Sequence, residues 1–368
     1  MSIKLYLIKW PLFIGIILFS FAFIRKVWIG IIVMNYVGKY SAGISIENLK
    51  SLPNVKETLT SLPQNRPTLI IFLNKYIIEM TLNWLCNVNK MKDVHSNTLF
   101  IVFDSFAANK LIKIWPNLKV LKINIIPLQI PFNYGDGPYQ LFSILRANIA
   151  SLISSYKKPF FMIQQDTFWR LNLLKLGIEA NNVSTDIIFD RSSPIEENNL
   201  IAGGYFYVRP TKQSVEYFNK LASKLINIYS PDNVLMSSLC SDIKFINCKL
   251  IPFCTIKENC KPALIQFDGD AILSNKLMKM HALGFYFLME DGETCNFDAV
   301  EKAKKFVKKI AEGKQTEFSL TNEHYPSFSQ QQFALYLWIL DQFYKFTPTT
   351  WLLNNVIYPN AHYLMITI

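Results

Sequence analysis

Short apolar runs alternate with amphipathic stretches through the first half of the chain, and this alternation constrains the fold more than any other feature. The apolar runs have the length of buried strands, and they are Thr68–Leu73, Thr98–Phe103, Leu118–Ile126 and Phe160–Ile163. Apolar residues at helical spacing separate them, at residues 77–88, 107–114 and 140–156. The alternation predicts an α/β fold, in which an open and mostly parallel sheet carries helices on both faces.

Polar residues stand where two of these strands are expected to end. Asp104 follows the second run, and two amides and Asp166 follow the fourth. Ligands of open α/β sheets bind outside the carboxyl ends of the strands, so this edge is the expected position of a site. A lone aspartate after a strand is also a common helix cap or turn residue. The flanking Phe168 and Trp169 favour a site, because aromatic side chains can line a pocket.

The N-terminal region is apolar enough to enter a membrane. Leu5–Ile24 is twenty residues long with a single charge, Lys9, near its start, and about 20 apolar residues span a bilayer. We expect an uncleaved signal anchor within residues 1–40, which makes the membrane one partner of the chain. A cleaved signal, with Ser41–Gly43 as the later cleavage point, is the alternative. Either interpretation directs the chain into the secretory pathway.

Composition suggests how the rest of the chain is divided. Residues 41–66 are polar and contain prolines, which is typical of a short stem, and residues 67–290 hold the alternating pattern. We expect residues 291–368 to form a helical extension packed on that domain. Its last apolar helix is interrupted by Asp341 and Gln342, so a second membrane span is not expected.

The six cysteines bear on the compartment. Four of them fall between residues 240 and 260, and none forms a C-x-x-C pair, so a zinc site is improbable. In an oxidising lumen the cluster predicts disulfides, whose connectivity the sequence leaves open. Buried free thiols are the alternative. A glycosylation sequon at Asn182–Ser184 agrees with lumenal exposure.

The net charge is +11, which is compatible with nucleic acid, an anionic membrane face or a phosphorylated ligand. None of the usual nucleic-acid-binding motifs is present, so we expect no nucleic-acid partner and assign most of the charge to the solvated surface. Hydrophobic residues make up 51% of the chain, which is enough for a large core and excludes global disorder.

Several segments occur in an order that is typical of one family. They are Tyr134-Gly135, Tyr139, Arg146, FFMIQQDTFWRLNL, IIFD, AGGYFYVRPT and PDN. The series resembles the nucleotide-diphospho-sugar transferase domain of GT-A type glycosyltransferases, many of which are type II Golgi membrane proteins. The resemblance covers residues 66–290. It implies a GT-A-like, Rossmann-type sheet and a single-pass type II protein of the Golgi or endoplasmic reticulum membrane, with its catalytic domain in the lumen.

The resemblance also implies chemistry. A sugar would pass from a nucleotide diphosphate donor to a hydroxyl of a glycan or protein acceptor. A divalent cation, with manganese as the expected ion, would neutralise the departing diphosphate. The family has two acids one residue apart after a strand, in a DxDvvW pattern. Asp166 takes the second position as the predicted metal ligand, and Gln164 takes the first, so an amide replaces a carboxylate there.

The family pattern extends to further residues. Arg146 and Gln164 would help to bind the donor, with a surface salt bridge as the alternative for Arg146. Gly203 and Gly204 would let the backbone approach the sugar, or they form a β-bulge. The remaining candidates are the catalytic Asp186 and Asp190, which would face the acceptor or the reacting sugar, and a second metal ligand, His281. Loop capping is the alternative for the two aspartates, and a structural role is the alternative for the histidine.

Two other hypotheses remain open at the level of sequence. In one, the chain keeps the fold but has lost catalysis and acts as a lumenal binding protein, which Gln164 favours. In the other, it is a structural or interaction protein that uses its aromatic surface.

Overall fold

The computed structural model describes residues 20, 24, 25, 27–180, 184–191, 200–241, 245–251, 263–267 and 273–311. The chain divides into a larger unit, Gly30–Phe318, and a smaller one that combines Met1–Ile29 with Ser319–Ile368. The smaller unit lies almost entirely outside the described residues, and so do most of the predicted anchor Leu5–Ile24, the last predicted helix and Asn182 of the sequon. The description therefore concerns the larger unit.

A seven-stranded sheet forms the centre of the larger unit. The strands of the described residues are β1 Thr68–Leu73, β2 Thr98–Val102, β3 Lys119–Lys122, β4 Phe160–Met162, β5 Thr167–Trp169, β6 Ile187–Arg191, β7 Ile201–Val208, β8 Cys248–Leu250 and β9 Leu264–Gln266. In space the order is β3-β2-β1-β4-β7-β6-β8, and β5 and β9 form a second, two-stranded sheet. The apolar runs β1 and β2 are buried along their whole length, as strands covered on both faces must be.

Strand direction makes the sheet mixed but mostly parallel. β1 pairs in parallel with β2 and β4, β2 with β3, and β6 with β8. β7 runs antiparallel to both of its neighbours, β4 and β6. The carboxyl end of β4 therefore meets the beginning of β7, which carries Gly203 and Gly204. The predicted fold class, an open and mostly parallel sheet flanked by helices, is confirmed.

Helices precede the first strand, connect several of the strands and follow the last one. They are α1 at residues 27–40, α2 Ile46–Ser51, α3 Pro53–Ser61, α4 Ile78–Val88, α5 Ser105–Ile114, α6 Gly137–Ser155, α7 Lys212–Asn227, α8 Asp232–Cys240, α9 Leu273–Ala282 and α10 Phe297–Ala311. Side-chain oxygens cap several of them; for example, Asp104, Asp136 and Thr211 accept hydrogen bonds from the first turns of α5, α6 and α7. α6 is buried along most of its length and is the central helix of the unit.

Some boundaries differ from the sequence predictions for identifiable reasons. The third strand was predicted over Leu118–Ile126 but ends at Lys122, and Pro127 lies in a short 3-10 helix that begins at Ile126. Proline lacks an N–H group, so it cannot extend a strand's hydrogen-bond ladder. The pairing of β5 with β9 was not predicted, because two three-residue strands that are distant in sequence leave no periodic signal.

Residues 41–66, predicted as a short stem, are largely helical and pack on the domain. Leu49, Val55, Leu59 and Leu62 are buried. The Lys158 ammonium donates to the carbonyls of Thr60 and Leu62. The polar composition that suggested a stem therefore belongs to the exposed faces of α2 and α3.

One segment of the described residues, Val27–Ser51, is long and apolar enough to cross a membrane, judged by length and composition alone. A signal sequence near the N-terminus meets the same criterion. Later residues of this segment contact the domain, because Val33, Val37 and Ile44 are buried. In addition, the Tyr36 hydroxyl donates to the carbonyl of Pro127.

Two disulfides confirm the predicted oxidation of the cysteines. Cys86 of α4 is bonded to Cys295, and Cys240 of α8 to Cys248 of β8. The other two cysteines of the 240–260 cluster, Cys254 and Cys260, lie outside the described residues. The first bond spans 209 residues and the second spans 8.

Loss of the long-range disulfide is expected to destabilise the fold strongly. Replacing both Cys86 and Cys295 by alanine should lower the free energy of unfolding by about 2–4 kcal/mol, because the cross-link no longer restricts the unfolded chain. The matched control removes Cys240 and Cys248, whose loop is much shorter, so it should cost less. Urea unfolding followed by fluorescence measures both. Equal losses from the two pairs would contradict this expectation.

Candidate functional site

The site is built where the chain leaves β4. Gln164, Gln165 and Asp166 follow this strand, and the chain then enters β5. The Asp166 carbonyl accepts a hydrogen bond from the Phe267 N–H at 3.0 Å, which continues the pairing of β5 with β9. Asp166 therefore lies in the corner between the large and the small sheet, at the carboxyl edge where the sequence predicted a site.

Asp166 forms an ion pair that the sequence did not predict. Its Oδ2 lies 2.5 Å from the Lys276 Nζ of α9. The Asp166 side chain is 9% exposed and the Lys276 side chain 22% exposed. The second carboxylate oxygen, Oδ1, is buried and has no hydrogen-bond partner within the described part of the chain. One oxygen of a buried carboxylate is thus left for a ligand or a water molecule.

An amide pair stands where the family pattern has its first acid. The Gln266 Nε2 of β9 donates to the Gln164 Oε1 at 2.9 Å. A Cβ on Gly204 would lie 2.9 Å from that oxygen and 3.0 Å from that nitrogen, so a larger residue would force the amide pair to shift. The Gln266 Oε1 is buried without a partner in the described structure. Gln164, Gln266 and Gly204 therefore form one contact group.

Asp190 holds the glycine pair in place. Its Oδ1 accepts from the Gly203 N–H at 2.7 Å, and its Oδ2 accepts from the Gly204 and Tyr205 N–H groups at 3.1 and 2.9 Å. Gly203 has a φ of +79°, a conformation that residues with a Cβ rarely adopt. The carboxylate thus stabilises the irregular start of β7. The pairing of β6 with β7 shifts register between Phe189 and Arg191, which agrees with the β-bulge considered for the glycine pair.

Arg146 is buried near β7, with its guanidinium 5.6 Å from the ring centroid of Phe206. Its Nη2 lies 2.5 Å from the Asp232 Oδ2 at the start of α8, and both side chains are 6% exposed. Its Nε is buried without a hydrogen-bond partner among the described residues. Burial, followed by the charge of Asp232, raises the pKa of Tyr139, and Arg146 opposes this effect while Asp166 adds to it. Arg146 and Asp166 therefore both lie within electrostatic reach of Tyr139.

A hydroxyl network supports the corner that carries Asp166. The Tyr205 hydroxyl donates to the Gln164 carbonyl at 2.6 Å and lies 2.5 Å from the Thr167 hydroxyl. Burial raises the pKa of Tyr205 far above its ordinary value, so the phenol stays protonated and can donate. Phe168 and Trp169 are fully buried. They belong to the core that supports the Asp166 corner. The expectation that they line an open pocket is therefore wrong.

Helix α4 fixes both sides of the site through two asparagines one turn apart. The Asn87 side chain exchanges two hydrogen bonds with the backbone of Trp169 in β5. The Asn83 side chain bonds the Phe285 carbonyl and the Phe287 N–H in the segment after α9. The strand that follows Asp166 and the segment that follows the Lys276 helix are therefore held by the same helix.

Two predicted site residues lie elsewhere. Asp186 precedes β6, at the opposite end of that strand from Asp190, where it accepts from the Thr211 hydroxyl and the Asn247 N–H. The structure does not bring it to the Asp166 corner, because its carboxylate joins β6 to the beginning of α7 and to residue 247. His281 is exposed, with its ring 5.0 Å from that of Tyr286. The glycine near it, Gly284, ends α9 with a φ of +78°.

A cavity of about 750 Å³ lies at the other edge of the sheet. Its lining includes Pro67, Asn97 and Pro159, which precede β1, β2 and β4, together with Arg209 after β7. This is the amino edge of the parallel strands, whereas open α/β sheets bind their ligands at the carboxyl edge. We therefore place the candidate site at the Asp166 corner and not in this cavity.

Comparison with known proteins decides the family. The family model for nucleotide-diphospho-sugar transferases matches residues 93–280, just over half of the chain. The chain belongs to this family. The match contains the Asp166 corner, the glycine pair, Arg146 and α9 up to Met280. No curated protein sequence matches the chain.

Solved structures similar to this family member are distant in sequence. The apo WbbM bifunctional glycosyltransferase shares 12% identity at a TM-score of 0.40, over 68% of this chain and 52% of that one. Apo mouse xyloside xylosyltransferase 1 shares 10% sequence identity at a TM-score of 0.34, and the match covers 50% of this chain and 85% of that one. The galactosyltransferase LgtC, in complex with donor and acceptor sugar analogues, shares 10% sequence identity at a TM-score of 0.32. That match covers 50% of this chain and 72% of LgtC. The chain spans about half the length of the WbbM protein.

The described residues do not fit the divalent cation that the family resemblance implies, manganese included. Hard cations take several oxygen ligands, usually with more than one carboxylate. No group of three His, Cys, Asp or Glu residues that could hold a metal occurs among the described residues. A cation at Asp166 would compete with the Lys276 ammonium. The Gln164 oxygen already accepts from Gln266, and the exposed ring of His281 lies against Tyr286.

Proposed function

We propose that this chain transfers a sugar from a nucleoside diphosphate donor to a hydroxyl group of a glycan or protein. The family supports the reaction class. The observation that carries the proposal is a set of buried polar atoms without partners at one sheet edge, within the described residues. They are the Asp166 Oδ1, the Gln266 Oε1 and the Arg146 Nε. Gln266 contacts Gln164, two positions before Asp166, and the charges of Arg146 and Asp166 both act on Tyr139. Buried polar atoms are normally hydrogen-bonded, so these atoms favour a polar ligand at the Asp166 corner.

The geometry supports a division of roles. The bend at Gly203 and Gly204, fixed by Asp190, lets backbone approach the donor sugar where a side chain would not fit. Gln164 and Asp166 lie beside that bend and would contact the donor, with Asp166 acting as a hydrogen-bond acceptor. Arg146, buried against Asp232, would contribute its positive charge to the part of the site around Tyr139. On this geometry Asp190 positions the backbone and Asp186 takes no part in the reaction.

We propose the secretory pathway as the compartment, in the Golgi or endoplasmic reticulum. The two disulfides support an oxidising lumen, since cytosolic proteins keep their thiols reduced. The apolar segment near the N-terminus supports attachment as a type II membrane protein. The sugar-transfer domain would then face the lumen.

A second candidate function is binding of the nucleotide sugar without transfer. Gln164 favours it, because the amide provides no charge where the family pattern has an acid. The ion pair of Asp166 with Lys276 is compatible with both functions and does not distinguish them. Turnover of a bound donor separates the two functions.

Nucleotide sugars are expected to bind the full chain and raise its melting temperature. A panel of UDP-glucose, UDP-galactose, UDP-N-acetylglucosamine, GDP-mannose and GDP-fucose at about 100 times Kd should add about 2.7 kcal/mol of stability for a ligand that binds the native state alone. Thermal unfolding in detergent, with and without manganese, measures the shift. Asp166→Ala should remove it, whereas Asp298→Ala, at an exposed acid of α10, should not. No shift with any donor in either condition would contradict the proposal.

A further inference from the structure

We propose that the Lys276 ammonium, held by Asp166, supplies at the donor diphosphate the positive charge that a divalent cation supplies in the family pattern. The inference rests on the proposed function, because it concerns the diphosphate of the same donor. It makes Lys276 a catalytic residue, in contact with the leaving group. Asp166 becomes the residue that positions it.

The ion pair places an ammonium at the position expected for the cation. The Lys276 Nζ lies 2.5 Å from the Asp166 Oδ2. The carboxylate is nearly buried, whereas the lysine side chain keeps 22% of its surface exposed. An ammonium has three N–H donors, so it can bind a carboxylate and a phosphate oxygen at the same time. The pair is therefore accessible from the lysine side.

Helix α9 holds this lysine in a defined position. The helix ends in a Schellman turn, in which the Phe285 N–H bonds the Met280 carbonyl and the Gly284 N–H bonds the His281 carbonyl. Phe285 then packs on Phe168, with the ring centroids 5.0 Å apart. The Asn83 contacts to the same segment fix it to α4. A long and flexible side chain thus starts from a rigid base.

The charges of the two arrangements match. Two carboxylates and one divalent cation carry no net charge, and neither do one carboxylate and one ammonium. Gln164 removes one negative charge from the family pattern, and Lys276 brings one positive charge in place of two. Counted over the described residues, a divalent cation added beside the Lys276 ammonium would leave a positive charge uncompensated, and the repulsion opposes its binding.

The amide pair of Gln164 and Gln266 also makes the site less suited to a cation. The Gln164 Oε1 accepts the Gln266 Nε2–H, which occupies one of its two lone pairs, and the amide brings no negative charge to attract a cation. The Gln164 amide also has a nitrogen with two N–H donors, which can donate to a phosphate or ribose oxygen. The position that binds a cation in the family pattern thus becomes a hydrogen-bond donor toward the donor nucleotide.

The reaction balances without a metal. The bond between the anomeric carbon and the oxygen of the β-phosphate breaks, and its electron pair leaves with the nucleoside diphosphate. The acceptor hydroxyl oxygen forms the new bond to that carbon, and its proton is released to solvent. Negative charge grows on the departing phosphate oxygen, and the ammonium stabilises it by a charge-assisted hydrogen bond without giving up a proton.

The test compares diphosphate affinity with and without divalent cations. The full chain in detergent is titrated with UDP and GDP, in EDTA and in manganese. Wild type should bind equally well in both. Lys276→Gln should weaken binding in EDTA by about 10- to 100-fold, the effect of losing one charged hydrogen bond. UMP and GMP should lose much less affinity, because they lack the β-phosphate, so the preference for diphosphate over monophosphate falls.

Two variants control for charge and folding. Lys276→Arg keeps the positive charge and should retain most of the diphosphate preference, whereas a purely structural lysine would show no selective effect on diphosphate. Lys305→Gln removes an exposed lysine of α10 and should change nothing. If Lys276→Gln does not fold, the insensitivity of wild type to EDTA still tests the proposal.

The outcomes are separable from those of the proposed function. Wild-type binding that needs manganese, or an unchanged preference for diphosphate in a folded Lys276→Gln, overturns the role of the lysine and leaves sugar transfer standing. A chain that binds neither UDP nor GDP in either condition contradicts both.

Discussion

Asp166→Asn is expected to lower the kcat of sugar transfer by about 100- to 1,000-fold, because it misplaces the Lys276 ammonium and so removes one contact that stabilises transition-state charge. The reason is positional. Asp166 holds Lys276 at 2.5 Å and keeps its other oxygen without a partner in the described structure. An asparagine keeps the shape but loses the charge that orients the ammonium. Release of nucleoside diphosphate from the donor, with acceptor present, measures the effect.

The matched control for this variant is Asp298→Asn. Asp298 lies exposed in the first turn of α10, so it undergoes the same chemical change outside the corner. Its kcat should equal that of wild type, and the melting curves of both variants should show folded protein. If Asp166→Asn turned over the donor as fast as wild type, Asp166 would have no part in the reaction and the site would lie elsewhere.

Asp190→Asn is expected to lower the free energy of unfolding by about 3–4 kcal/mol, since hydrogen bonds to a buried charged group are strong and an unsatisfied donor is costly. The Asp190 carboxylate, 1% exposed, accepts from the N–H groups of Gly203, Gly204 and Tyr205. An asparagine has one acceptor oxygen and turns an N–H₂ toward donors. Urea unfolding measures the loss.

The control for Asp190 is Asp186→Asn, at the other end of β6. Asp186 is half-buried and accepts from Thr211 and Asn247. Its amide variant should lose less stability and keep the kcat of wild type. A large loss of kcat in Asp186→Asn would instead support the catalytic role that the sequence suggested. A stable Asp190→Asn protein that lacks activity would show a catalytic and not a structural carboxylate.

Much of the fold follows from local sequence. The strands β1, β2 and β4 read as uninterrupted apolar runs because both of their faces are buried, and the helices between them show their period in the sequence. The antiparallel direction of β7 and the pairing of β5 with β9 did not follow. They depend on contacts between residues 44–48 positions apart in β4 and β7 and 95–99 positions apart in β5 and β9, for which a single sequence holds no periodic signal.

The site was predictable in position but not in composition. Asp166 and the glycine pair stand out because they interrupt apolar strands. Lys276 does not stand out, because a lysine on an amphipathic helix has the appearance of a solvated surface residue. His281 attracted attention as a possible ligand, yet it is five positions from Lys276, about 140° around the helix. It therefore faces away from Asp166 when the lysine faces toward it.

The central claim is that the Asp166 corner binds and transfers the sugar of a nucleotide donor. The most direct measurement is release of nucleoside diphosphate by the purified full chain from the nucleotide-sugar panel, with a mixture of glycan and peptide acceptors, in EDTA and in manganese. We predict that at least one donor is turned over by wild type and at a strongly reduced rate by Asp166→Asn. Absence of turnover of every donor in both conditions, by a protein that melts cooperatively, would contradict the account.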